Sequence, residues 1–99
     1  MTTIYVRHPV KEYTHWRQSF DAHEDRRRSY GLRVLRVQRN IDRPLEIIIV
    51  LEAEDLALAR EFAESAQLRV AMIRAGVVGR PEVWFAEDAP VATELVQER

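Results

Sequence analysis

Three features of the 99-residue sequence predict one α+β domain with four antiparallel strands and two helices, in the order β-α-β-β-α-β. Four short segments alternate apolar with polar residues, and two longer segments between them carry helical periodicity. One of the strands, Leu45 to Glu52, is rich in β-branched residues and apolar on both faces over its middle. A sheet with helices on one side only does not need that second apolar face.

The first strand covers about Thr2 to His8, with Ile4 and Val6 on one face and Tyr5 and Arg7 on the other. Pro9 ends the pairing and suits the first turn of a helix that runs through Tyr30. Along it Val10, Tyr13, Trp16 and Phe20 fall within about 120° of one another at ~100° per residue. Arg26, Arg27 and Arg28 occupy the last turn, where cations complement the helix dipole, and Gly31 suits the left-handed residue that follows. Leu32 to Arg39 alternates again, and Asn40-Ile41-Asp42-Arg43-Pro44 has the chemistry of a hairpin turn into Leu45 to Glu52. The second helix begins near Asp55 as its cap and puts Leu58, Ala59, Phe62 and Ala63 on one face. Ser65 supplies a fresh cap for a short continuation through Leu68, Ala71 and Met72, and Gly76 closes it. Val77 to Pro81 leads into the last strand, Glu82 to Ala86. The domain so read spans residues 1–87, and residues 88–99 form a tail or a short helix using Val91 and Leu95. This order is the split βαβ of ferredoxin-like folds.

Composition narrows the classes of function. With 46% hydrophobic and 31% charged residues the chain is globular rather than disordered. No apolar run approaches the roughly 18 residues of a membrane span, and the first residues lack a signal peptide's basic head and apolar stretch. A cytoplasmic protein without a membrane partner is expected. The absence of cysteine excludes disulfides, thiolate metal sites, iron–sulfur clusters and cysteine nucleophiles. Seven arginines between Arg26 and Arg43 face one aspartate, whereas Glu46 to Glu64 holds six acids against Arg60. Complementary surfaces within the fold or across a dimer account for that asymmetry. Nothing beside the arginines resembles a reading helix or a base-stacking platform, so no nucleic-acid partner is expected.

Sorting the strands by parity gives one set, Ile4, Val6, Ile47, Ile49, Leu51, Val83 and Phe85, that faces the helices. The opposite set has an apolar centre of Tyr5, Ile48, Val50 and Trp84, rimmed by Arg7, Glu46, Glu52 and Glu82. An apolar centre with a charged rim is the composition of a protein interface, so a homodimer through this face is expected.

In this order and patterning the chain resembles the dimeric α+β barrel superfamily, and within it the antibiotic-biosynthesis-monooxygenase-like branch. The first strand, Val10-x-x-Tyr13-x-x-Trp16-x-x-x-Phe20 and Glu52-x-x-Asp55 carry the resemblance. Phe62-Ala63-x-Ser65-x-x-Leu68-x-x-x-Met72 and Gly76-x-x-Gly79-x-Pro81-x-Val83-x-Phe85 complete it, over roughly residues 2–87. These are packing motifs. The resemblance implies pairing of two such sheets into a dimeric barrel, and a superfamily whose members include cofactor-free quinone-forming monooxygenases, haem-degrading enzymes, polyketide cyclases, lactone isomerases and stress proteins. The haem-degrading members use a histidine on the second helical segment and an asparagine on the first strand. Here His8, His15 and His23 all precede residue 24, and the first strand has no asparagine, which argues against haem.

The remaining candidate chemistry is sparse. His8 shares the parity of Ile4 and Val6 and could act as a general base near pH 7; the plainer reading is a histidine that satisfies backbone groups before Pro9. Tyr13 is the second catalytic candidate, and with Trp16, Tyr30 and Trp84 it would shape a flat cavity for an aromatic ligand, although aromatics at this spacing also simply fill cores. Trp16, His23 and Arg27 are the candidate substrate contacts. His23 and Arg27 continue the apolar stripe with polar residues, so the stripe either leaves the core to line a pocket or overhangs the sheet. Geometry supports the overhang: twenty helical residues span about 30 Å and seven strand residues about 23 Å. Arg33, Arg36 and Arg39 offer a further anion-binding set. No pair of histidines at i, i+4, no facial triad and no phosphate loop is present, so neither metal nor cofactor is expected.

Together these readings point to a cofactor-independent small-molecule enzyme or binder, monooxygenase- or cyclase-like, acting on an aromatic or polyketide-type substrate. The alternative is a non-catalytic dimeric module of stress response or protein association. A cavity with inward polar groups favours the first, and a filled core the second.

Overall fold

The computed structural model of the chain describes residues 1–92; the predicted tail or helix through Leu95 extends beyond them. Its elements are β1 (Thr2–Pro9), α1 (Tyr13–Ala22), α2 (Glu24–Ser29), β2 (Leu32–Arg39), β3 (Glu46–Ala53), α3 (Leu56–Glu64), α4 (Ala66–Arg74) and β4 (Glu82–Ala86). The strands form one antiparallel sheet in the order β2-β3-β1-β4, the α+β ferredoxin-like arrangement with each of the two helical segments broken in two. No helix among the described residues is long and apolar enough to cross a membrane.

The first helix starts later than Pro9 and is not continuous to Tyr30. Backbone groups of residues 9–11 are already committed: Val10 N–H donates to the Leu45 carbonyl, Lys11 N–H to that of Gly76, and the Pro9 carbonyl accepts from Val78. Pro9 therefore closes β1 opposite Glu46, at a strand end where its missing N–H costs little. The Glu12 carboxylate then caps α1, accepting from the N–H groups of Thr14 at 3.0 Å and His15 at 2.7 Å. These bonds favour the charged form and hold the Glu12 carboxyl below its ordinary pKa. At His23 the run breaks, with the His23 N–H turned to the Phe20 carbonyl, and α2 packs against β2.

The second helical segment follows its sequence signals closely. Asp55 caps α3 through Leu58 N–H at 3.1 Å, and the Ser65 hydroxyl caps α4 through Leu68 N–H at 3.1 Å. Gly76 closes α4 with a φ of 86°, a conformation that side chains disfavour.

Parity sorts the sheet as its sequence predicts. Ile4, Val6, Ile47, Ile49 and Leu51 are buried under the helices with Trp16, Leu32 and Ala59. Val83 and Phe85 share that face, but on an edge strand; Val83 is 37% exposed. On the opposite face Tyr5 stacks on Trp84 with ring centres 5.7 Å apart, beside Ile48 and Val50. Arg7 there pairs with Glu82 at 2.6 Å and Glu46 at 3.3 Å, and Arg33 with Glu52 at 2.7 Å. Trp84 is 44% exposed in this single chain.

Strand β2 departs from simple alternation. Its register against β3 shifts between Val34 and Arg36, so Leu35 is an extra residue of a β-bulge. Val34 opposes Leu51, Arg36 opposes Val50 and Val37 opposes Ile49. The bulge returns Val37 to the helix side, where uninterrupted alternation would have sent it outward.

Candidate functional site

Between the sheet and the helices the core is not filled. A cavity of about 90 Å³ has Val6, Ile49 and Leu51 of the sheet on one side and Leu68 and Met72 of α4 on the other. Its polar lining comes from His8, Ser19, His23, Arg26 and Arg27. Ser19, His23 and Arg26 also border a surface groove of about 470 Å³ along Val70 and Arg74 of α4. The cavity and the groove share these three side chains on their linings.

His8 reaches this cavity because it shares the inward parity of Ile4 and Val6. It is 2% exposed, and its Nδ1 has no side-chain or backbone partner within hydrogen-bonding geometry among the described residues. Burial lowers its pKa from the ordinary 6.5, with the backbone of His8 and Pro9 acting in the opposite direction. The ring is consequently neutral at pH 7, the form that can accept a proton. Trp16, 3% exposed, stands edge-on to His8 and stacks on Phe20 with centres 4.9 Å apart.

Phe20 in turn supports Arg27, whose guanidinium carbon lies 3.8 Å from the ring centre. Arg27 is 7% exposed, its Nε has no hydrogen-bond partner, and burial lowers its pKa while Glu24 and Asp21 act against the shift. The break at His23 explains this burial. A continuous helix would have overhung the sheet, whereas α2 packs on β2 and draws Arg27 inward. His23 sits at the break with Nδ1 2.7 Å from the Ser19 carbonyl. A carbonyl only accepts, so Nδ1 is the protonated nitrogen that donates to it.

Four of the five sequence candidates, His8, Trp16, His23 and Arg27, therefore meet at one cavity. Tyr13 is not on its lining. Its ring contacts Trp16 at 6.0 Å between centres, its hydroxyl is 3.5 Å from Arg17 Nη1, and Arg39 lies over its face. Arg33, Arg36 and Arg39 do not converge either: the first two pair across to Glu52 and Val50 on the open face, and Arg39 lies on the helix side. His15 is exposed and bonds to the Arg74 carbonyl through Nε2 at 3.0 Å, tying α1 to the end of α4. Ser19 and Arg26 are lining residues that sequence reasoning missed. The signal for Ser19 is its place four residues before His23, where its carbonyl meets the ring. Among the described residues no group of three or more His, Asp or Glu is placed to hold a metal ion.

The sequence matches no protein-family model and no curated protein. Its structure does have counterparts. An antibiotic-biosynthesis-monooxygenase-like protein of Bordetella bronchiseptica superposes with a TM-score of 0.71 at 14% identity, covering 90% of this chain and 97% of that one. A similarly described protein of Caulobacter crescentus gives 0.66 at 10% identity, covering 90% of each chain. A NIPSNAP domain protein of Burkholderia xenovorans gives 0.59 at 12% identity, covering 93% and 96%. The chain shares its fold with these proteins over nearly its whole described length.

Proposed function

We propose, starting from the fold this chain shares with antibiotic-biosynthesis-monooxygenase-like proteins, that it is a cofactor-independent small-molecule enzyme or binder whose site is the cavity beside His8. The observation that carries this reading is the ring of His8, 2% exposed and on the lining of a cavity whose other polar residues are Ser19, His23, Arg26 and Arg27. A few polar groups converging on an otherwise apolar cavity are the usual make-up of a small-molecule site. The cavity also argues against a filled-core association module.

In a monooxygenase-like reaction His8 takes a proton from an activated methylene of the substrate. The resulting carbanion supplies the electron pair to dioxygen; one oxygen atom stays as a carbonyl and the other leaves as water with the two hydrogens. Neutral His8 is the competent form of the base. Trp16, His23 and Arg27 contact the substrate, and Tyr13 acts through Trp16 as a positioning residue. The cavity volume is below the roughly 150 Å³ that takes up benzene, so an aromatic body of several rings would have to project past Ser19, His23 and Arg26 toward the groove along α4.

The open sheet face supports a homodimer. Val50 is already buried in the single chain, at 3% exposure, but Tyr5, Ile48 and Trp84 are not, and covering them with a second copy is worth at most roughly 1.5–3 kcal/mol each. The Arg7–Glu82 and Arg33–Glu52 pairs then form the rim.

The test is a screen of hydroxylated aromatics and quinones against the isotope-labelled chain, with oxygen uptake followed in parallel. Shifts at Trp16 and His8 are expected. Shifts confined to Tyr5 and Trp84 would move the site to the other face of the sheet and overturn this reading.

A further inference from the structure

We infer that the cavity selects ligands bearing one delocalised oxyanion, a carboxylate or an enolate or phenolate, and that Arg27 is the residue that selects them; this rests on the cavity being the binding site. Arg27 is a cation buried to 7% exposure, and none of the ion pairs among the described residues includes it. The acids whose charges act on it, Glu24 and Asp21, each also pair with another arginine, Asp21 with Arg17 at 3.1 Å and Glu24 with Arg28 at 3.4 Å. A buried charge so partly compensated is stabilised further by an incoming anion.

The surroundings point the same way. The cavity lining contains Arg26, Arg27, His8 and His23 but no aspartate or glutamate. Phe20 covers one face of the Arg27 guanidinium at 3.8 Å. Stacking of that kind leaves the in-plane N–H groups available, and those groups fit the two oxygens of a carboxylate or the single oxygen of an enolate. The apolar remainder of the ligand is met by Trp16, Leu68 and Met72.

The experiment is a nuclear magnetic resonance titration of the full chain with three ring-matched probes: benzoate, para-nitrophenol above its pKa, and neutral benzamide. The Arg27 Nε–H and Trp16 indole resonances are the reporters. At least one anionic probe is expected to shift both and to bind about tenfold or more tightly than benzamide. Benzoate alone would identify a carboxylate ligand, and para-nitrophenolate alone an enolate or phenolate. Arg27→Gln is expected to abolish the preference, bringing the affinities of the anionic and neutral probes together, with Arg27→Lys restoring part of it. Equal binding of charged and neutral probes, or a preference that survives in Arg27→Gln, overturns the inference while the cavity stands. A bound anion that leaves the wild-type Arg27 Nε–H unshifted overturns it too, whether or not the variants fold. If no probe of either charge moves Trp16 or Arg27, the cavity reading itself fails and takes the inference with it.

Discussion

The ring of Trp16 stands edge-on to that of His8, with 5.7 Å between centres and 67° between planes. The same indole lies over Phe20, so one side chain joins β1 to the first helical segment and bounds the cavity. Trp16→Ala is expected to cost about 3–5 kcal/mol and to abolish ligand binding at once. Chemical denaturation measures the first effect. A variant of wild-type stability would show that the indole is not the packing centre described here.

His8→Leu separates site from scaffold. Leucine has a similar volume and removes an unpartnered buried nitrogen, so stability at pH 7 is expected to hold or rise while ligand binding is lost. The pH dependence has a definite sign. The folded His8 pKa lies below 6.5, so the unfolded chain binds the extra proton first and stability falls as pH drops below 6.5 toward the folded pKa. His8→Leu should flatten that part of the profile. Glu12 acts in a lower window: its folded pKa is below 4.5, and its contribution is lost as pH falls through that folded value. Melting curves at a series of pH values distinguish the two.

Ile48→Asp tests the open face. In the proposed dimer the new carboxylate is buried without a partner, but in the monomer Arg7 stands opposite it in register. The variant is therefore expected to fold as a monomer where the wild type is a dimer. Light scattering at micromolar concentration decides, and a monomeric wild type ends the dimer proposal.

Ser65 holds the junction between α3 and α4. Its hydroxyl donates to the Phe62 carbonyl at 2.9 Å and accepts from Leu68 N–H. Ser65→Ala is expected to cost about 1 kcal/mol, measured by denaturation, with no effect on oligomeric state. Because Leu68 lines the cavity, a modest loss of ligand affinity should accompany it.

The fold was legible wherever a local signal and the global pattern agreed. Asp55, Ser65 and Gly76 marked the second helical segment because caps and left-handed turns are local chemistry. The inward parity of His8 was readable for the same reason, since a strand alternates whatever surrounds it. The late start of α1 was not, because Val10 and Lys11 are tied to Leu45 and Gly76, residues distant in sequence. Glu12 is an uncommon cap and gave no signal. The burial of Arg27 depends on the break at His23, and nothing in the helical period announces a break. Hence sequence alone favoured the overhanging helix over the pocket as the reading of that stripe.

The bulge at Leu35 gives β2 an unusual tolerance. Removing a residue from the middle of a strand normally reverses the facing of everything beyond it. Here the deletion of Leu35 would leave Val34 opposite Leu51, Arg36 opposite Val50 and Val37 opposite Ile49, as they already are. The shortened chain would keep both faces of its sheet. What it would lose is twist. Because β2 is an outer strand, its straightened rim would accept a foreign strand more readily, so the spare residue serves as a guard against aggregation rather than as a part of the core.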